Sequence, residues 1–260
     1  MKLLFCDPIP AFPGEPHWTW YKKIAEAVAS PRTEVDFTCL KEGYFMNPTT
    51  PFTTAYNAVG MAEKAREAEK AGYDAFLVGC GHEPGLTICR ALLNIPVLGP
   101  LESAAHVACF LGSKYSIIAL DPSWHEVLEA QIQNYGMKDK LASIRLPQGL
   151  TFDAALSMVF GEEKDREKLT KLIKDEMEKA VDEDRAEALI APCTLVSSVL
   201  TMNGVHSVNG APVIDFVAAE IVTAESMVAL RQAYGIGTCR KSIYFPPPQG
   251  WEEIVPIRTK

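Results

Sequence analysis

The sequence predicts an α/β fold of two pseudo-symmetric lobes, each a parallel sheet flanked by helices. Three observations carry this reading. Apolar runs of strand length alternate with amphipathic helical stretches along the 260 residues, the pattern of strand–helix–strand units. Two segments look like copies of one another, Asp74-Ala75-Phe76-Leu77-Val78-Gly79-Cys80 and Glu187-Ala188-Leu189-Ile190-Ala191-Pro192-Cys193. Each follows a charged helical stretch (Ala62 to Lys70; Asp165 to Arg185) and leads through a helix to a similar strand opening, Pro96-Val97-Leu98-Gly99 or Pro212-Val213-Ile214-Asp215. One lobe is expected to span 1–100 plus about 216–260, and the other about 101–215.

The elements follow in order. Lys2 to Cys6 is an apolar first strand, left through a Pro/Gly-rich loop, Asp7 to Glu15. A helix from Trp18 to Ala29 ends at Ser30-Pro31, because the residue before proline disfavours helical backbone. Val35 to Cys39 is a strand, and Lys41 to Thr54 a long polar loop of the kind that often carries function. A helix over about Ala55 to Ala71 leads into the strand ending at Cys80; Glu83 to Leu93 is helical, with Pro84 in its first turn. Leu101 to Gly112 is a helix opened by Glu102 as a cap, Tyr115 to Leu120 a strand, His125 to Tyr135 a helix stopped by Gly136, and Leu141 to Leu146 a strand. Gly161 to Arg185 reads as a long solvated helix. Val217 to Tyr234 is the last helix, with Asp215 as its cap, and Pro246-Pro247-Pro248 favours an extended surface tail.

Bulk properties exclude several functions. A net charge of −8 leaves no basic face for nucleic acid. No apolar run reaches the roughly 18–20 residues a membrane span needs. There is no GxGxxG or P-loop to hold a nucleotide. The opening Met1 to Cys6 run is too short for a secretory signal and is broken by Asp7-Pro8. The seven cysteines are an odd number without a CxxC pair, which reads as free thiols in a reducing cytoplasm rather than as a disulfide framework. The expected ligand is a small molecule, and the expected assembly a homo-oligomer.

In open α/β sheets, ligands bind at the carboxyl ends of the strands. The repeat places Cys80 and Cys193 there, each before a helix. A thiol at a helix N-terminus has its pKa drawn down, and the same N–H groups, at Gly81, His82 and Thr194, can hold a carbonyl or enolate oxygen. Two thiols facing one cleft suit proton removal on one side of a carbon and proton delivery on the other. Thr194 can cap the helix that follows Cys193, His82 is either a partner of Cys80 or an exposed loop residue, and Thr49, Thr50, Thr53 and Thr54 are ligand contacts or plain loop. Other uses of the thiols stay open. Cysteine is often core filler, the reading for Cys6, Cys39, Cys89 and Cys109, while Cys239 has no chemical partner in sequence. Cys80 and His82, with His106 or His125, offer metal ligands without matching a structural zinc spacing. A Cys–His nucleophile would leave the second cysteine unexplained.

These residues together resemble the aspartate/glutamate racemase superfamily, and within it the hydantoin and allantoin racemase branch. The resemblance covers nearly the whole chain: Ala71 to Phe76 leading to Cys80 and Pro84-Gly85-Leu86; Pro96 to Gly99 with Glu102, Ala104 and Ala105; Val127-Leu128-Glu129, Tyr135-Gly136 and Ala142 to Arg145; Cys193; Pro212 to Asp215; and the tail from Lys241-Ser242 to Pro248. It implies a cofactor-independent isomerase without a metal, its active site between the lobes, with Cys80 and Cys193 as catalytic acid and base on a carbon next to a carbonyl. It places Asp7, Ile9, Thr53, Gly81, His82, Thr194 and Leu195 around the substrate, most simply a 5-substituted hydantoin or allantoin. Departures occur at Asp7-Pro8-Ile9, where the family has an Asn-Pro-Asn-type turn, at His82-Glu83, where it commonly has an aspartate before Pro-Gly, and at Thr194-Leu195. They imply a pocket more apolar on one side. Amino-acid racemisation, maleate-type cis–trans isomerisation and non-catalytic binding on the same fold are the alternatives.

Overall fold

A computed structural model of the chain describes residues 1–10, 16–43, 50–191 and 193–250. Much of the two loops read between Asp7 and Glu15 and between Lys41 and Thr54, with Thr49, lies outside the described residues. The first half runs β1 (Lys2–Asp7), α1 (His17–Val28), β2 (Glu34–Cys39), α2 (Pro51–Lys70), β3 (Ala75–Val78), α3 (Leu86–Leu92), β4 (Val97–Leu98) and α4 (Pro100–Leu111). The second runs β5 (Tyr115–Ile118), α5 (His125–Asn134), β6 (Leu141–Arg145), α6 (Phe152–Val159), α7 (Glu163–Asp182), β7 (Ala188–Ile190), α8 (Thr194–Met202), β8 (Ser207–Val208), β9 (Ala211–Ile214) and α9 (Phe216–Tyr234).

The strands form two sheets, ordered β2-β1-β3-β4 and β6-β5-β7-β9-β8. All pairings are parallel except the β8–β9 hairpin. With that hairpin strand set aside, the sheets have the same topology: β1 corresponds to β5, β2 to β6, β3 to β7 and β4 to β9. In each sheet the chain winds outward in both directions from its first strand. The crevice between the first and third strands is therefore a topological switch point, where connections leave on opposite faces and a ligand can enter.

Burial on both faces explains the near-continuous apolar strands. Along β1, Leu3 and Phe5 join one core while Leu4 and Cys6 join another; β3 does the same with Ala75 and Leu77 against Phe76 and Val78. The smaller core lies under α2 and α3. The larger is continuous from the first sheet through α1, α4 and α9 to both strands and helices of the second half. α9 packs against α4, α1 and α8, so the last helix bridges the two sheets.

Several local expectations change. α2 begins at Pro51 rather than near Ala55, because Thr50 and Thr53 form a reciprocal capping box; Thr53 therefore lies in the first turn of a helix, not in a loop. After Cys80 the helix starts at Leu86, not Glu83: Gly85 adopts φ 80° at its N-cap and Pro84 precedes it in a turn. Glu102 does not cap α4; its carboxylate pairs with Arg90. α7 is not solvated all round, since Leu169, Ile173, Met177 and Ala180 form a buried stripe. α6, read from the sequence as part of no element, is capped by Thr151, whose hydroxyl accepts from the N–H of Ala154.

The segment after α9 returns to the first half. Arg240 donates to the carbonyls of Arg90, Ala91 and Leu93, which closes the C-terminus of α3, and Tyr244 meets the Arg90 guanidinium. At the other end of α9, Asp215 accepts from the N–H of Ala218 at 2.8 Å, as the capping expectation requires, and from the hydroxyls of Ser197 at 3.2 Å and Thr201 at 2.6 Å on α8. This carboxylate locks α8 to α9. Asp215→Ala is expected to cost about 2–3 kcal/mol in urea unfolding, with Asp215→Asn costing well under half of that because the cap acceptor survives.

Candidate active site

The two cysteines follow equivalent strands. Cys80 lies two residues after β3 and Cys193 three after β7, each the third strand of its half and each flanked by parallel neighbours. Their local settings differ. Cys193 is the N-cap of α8, where its sulfur makes no capping hydrogen bond but the backbone N–H groups of Leu195 and Val196 favour its thiolate. Cys80 sits in a tight turn: its carbonyl accepts from the N–H of Glu83 at 2.9 Å, and the backbone N–H of His82 favours its thiolate. The expected helix N-terminus at Cys80 is thus replaced by a turn.

Thr194 does not cap α8, since Cys193 holds that position. Its hydroxyl is instead free to cross to the other lobe, where it donates to the carbonyl of Gly79 at 3.2 Å. This buried bond spans 115 residues of sequence and ties the turn before Cys80 to the turn that holds Cys193. Asp7, at the end of β1, completes the meeting point: its carboxylate acts on both sulfurs and on the fully buried Tyr21 of α1. Gly79 makes this convergence possible, because a Cβ there would come within 2.5 Å of Asp7 Oδ1 and 2.6 Å of the Phe5 ring. His17 Nε2 stands 3.8 Å from Asp7 Oδ2. Burial lowers the His17 pKa to about 4, so at neutral pH the imidazole faces the carboxylate uncharged.

His82 is neither exposed nor charged. Its ring meets Trp124 edge-on at 4.6 Å, and burial brings its pKa to about 4. It cannot draw a thiolate toward itself as an imidazolium; its contribution to Cys80 is the backbone N–H. Gly81 is buried, and its carbonyl accepts from Gln131 Nε2 at 3.1 Å. Leu195 is buried beside Cys193, and Ile9 is half-buried in the bend after β1. The structure therefore brings together Asp7, Gly81, His82, Thr194 and Leu195 around the two cysteines. Thr53 is engaged with Thr50 at the start of α2. Tyr21, His17 and Glu83 escaped sequence reasoning. The first two carry no motif; Glu83 carried a signal, since it stands where the resembled branch has aspartate.

Burial pushes both thiols up, Cys80 to about 12 and Cys193 to about 11. Asp7 adds to both, and Cys193 adds to Cys80. The two backbone donors at Cys193 offset part of the burial effect, against one at Cys80. In the free protein both sulfurs are thus protonated at neutral pH. Among the described residues no cluster of three or more His, Cys, Asp or Glu side chains is arranged to hold a metal ion, and no helix is long and apolar enough to cross a membrane.

Two thiols thus stand just past the ends of equivalent strands in a doubled, parallel α/β fold. Residues 19–224 match the family model described as Asp/Glu/Hydantoin racemase, and the chain belongs to that family. It is 31% identical to the hydantoin racemase of Pseudomonas sp. (strain NS671) over 172 residues, 66% of this chain and 65% of that enzyme, so the chain spans just under two thirds of that relative. It is 30% identical to the hydantoin racemase of Paenarthrobacter aurescens over 200 residues, 76% of this chain and 78% of that one. The crystal structure of allantoin racemase from Pseudomonas fluorescens aligns with a TM-score of 0.77 at 26% identity, covering 95% of this chain and 97% of that one.

The raised thiols give an expected outcome in the absence of any ligand. Alkylation by iodoacetamide, followed on the Cys80 and Cys193 peptides by mass spectrometry, should climb about tenfold per pH unit from 7 to 10, because only the thiolate reacts. A plateau at either site below pH 8 would contradict the buried setting.

Proposed function

We propose that this chain racemises a carbon acid adjacent to a carbonyl, most simply a 5-substituted hydantoin or allantoin, with Cys80 and Cys193 as the two bases. The observation that carries the reading is the pairing of the cysteines: each ends the third strand of its sheet, and the Thr194–Gly79 bond ties their turns together. Its similarity to hydantoin and allantoin racemases supports the substrate class.

In the proposed reaction one thiolate removes the proton at C5. The electron pair moves onto the neighbouring carbonyl oxygen to give a planar enolate. The opposite thiol then protonates that carbon on its other face, and the two sulfurs exchange protonation states. A substrate of the other hand uses them in reverse order. In this reading the backbone N–H groups of the two turns, at Gly81 and His82 on one side and Thr194 on the other, hold the enolate oxygen. Leu195 and Ile9 supply the apolar side of the pocket, in place of polar family residues. The chemistry calls for no cofactor or metal. The two lobes take the boundaries given above, and the chain works as a cytoplasmic homo-oligomer. Seven free cysteines and exposed apolar side chains such as Phe110, Tyr234 and Phe245 support those last two points.

A thiol pushed to high pKa forms a strong base, better matched to a weak carbon acid, at the cost of a small thiolate population at neutral pH. The sign follows: raising the pH deprotonates the thiol, so kcat/KM should rise about tenfold per unit between pH 7 and 9, read by loss of optical rotation. Cys80→Ala and Cys193→Ala should each lower racemisation by about a thousandfold or more. In D2O, wild-type protein should exchange the C5 proton of each enantiomer. Affinity for a hydantoin without exchange would identify a binder instead.

A further inference from the structure

The turn that carries Cys80 is gripped from the opposite lobe, and Glu83 provides the handle. Its φ of 51° lies in the left-handed region, which costs a side-chain-bearing residue about 1 kcal/mol. The strain is borne within a turn closed by the Glu83 N–H on the Cys80 carbonyl at 2.9 Å. The carboxyl itself is buried, 6% exposed, and has partners on two elements. Oε1 accepts from the N–H of Glu102 at 2.9 Å, in the first turn of α4. Oε2 meets the Tyr135 hydroxyl at the end of α5 and stands 3.4 Å from Gln131 Nε2. The same Gln131 nitrogen reaches the Gly81 carbonyl, so α5 holds this turn by both main chain and side chain. The chain also keeps room for the carboxyl: a Cβ at Gly99 would lie 2.2 Å from Glu83 Oε1. The partners of the Glu83 side chain lie on α4 and α5, whereas Cys193 opens α8 and meets the Cys80 turn through the Thr194–Gly79 bond.

We infer that Glu83 is the positioning residue for Cys80: anchored to α4 and α5, its side chain fixes the turn that carries Cys80. The inference rests on the two-cysteine reading. It makes a distinctive demand, because the two sulfurs should respond unequally when the anchor is cut. A residue that merely stabilised the fold would affect both alike.

The test compares Glu83→Ala, Glu83→Gln and Tyr135→Phe with the wild type. Glu83→Gln keeps the length and an acceptor for Glu102, and should retain activity within a few-fold. Glu83→Ala should lower kcat about tenfold or more with KM little changed, since misplacing a reacting group by a fraction of an ångström is enough. In D2O, exchange from the enantiomer whose proton Cys80 removes should fall more than exchange from the other. Iodoacetamide labelling should change several-fold at Cys80 and stay the same at Cys193. If Glu83→Ala does not fold, Tyr135→Phe, which removes only the partner hydroxyl, should shift Cys80 labelling alone in the same direction. Equal changes at both cysteines, or none at either, overturn the inference. Labelling requires no turnover, so it decides the role of Glu83 even where absence of C5 exchange in the wild type defeats the racemase reading.

Discussion

One buried hydrogen bond sets the spacing on which the site depends, the donation from the Thr194 hydroxyl to the Gly79 carbonyl at 3.2 Å. The carbonyl sits just past the end of β3, where the ladder has stopped and a buried acceptor needs another donor. The hydroxyl is available because Cys193, not Thr194, occupies the N-cap of α8. Each half thus satisfies a need of the other, and the two turns cannot drift apart without leaving a buried polar group unpaired, a loss of about 1–3 kcal/mol. Gly79 allows the approach, since any larger residue would strike Asp7 and Phe5.

Around that bond the electrostatics are austere. Asp7 and Glu83 are buried near the sulfurs, Glu220 is buried within reach of those two carboxyls, and both histidines of the region, His17 and His82, are held neutral. Burial keeps the Glu83 carboxyl high, at about 8, and Glu220 well above the usual carboxylate range. Among the described residues no cation figures among the main influences on Cys80 or Cys193. Among the described residues, the main influences favouring a thiolate at either position are backbone N–H groups. Acid–base chemistry in such a place is governed by hydrogen-bond geometry rather than by ion pairing, and small shifts of a turn matter more than surface charge.

Much of the architecture was legible because parallel strands buried on both faces are written as short apolar runs between helical stretches. The doubling was legible from β3 and β7 alone, whose sequences end alike. The boundaries that went astray share a cause. At Thr50, Gly85 and Thr151 a local capping or left-handed conformation decides where a helix begins, and such geometry depends on side-chain bonds that periodicity does not report. Glu102 and Glu83 exchanged expected duties for a reason sequence cannot contain: a carboxylate from one loop reached the first turn of α4 before the helix's own glutamate, leaving Glu102 to Arg90. His82 looked like a loop residue because its covering aromatic, Trp124, comes from the other half.

The return of the chain after α9 has a consequence for biogenesis. All strands of the first sheet are complete by Leu98, yet α9, which completes the cover of its inner face beside α1 and α4, and the Arg240 contacts that finish α3 come from after the second half. The half made first at the ribosome is therefore the last to be sealed. Its exposed inner face must wait for the second half to emerge and fold, and this couples the two halves into one late cooperative step rather than two successive ones.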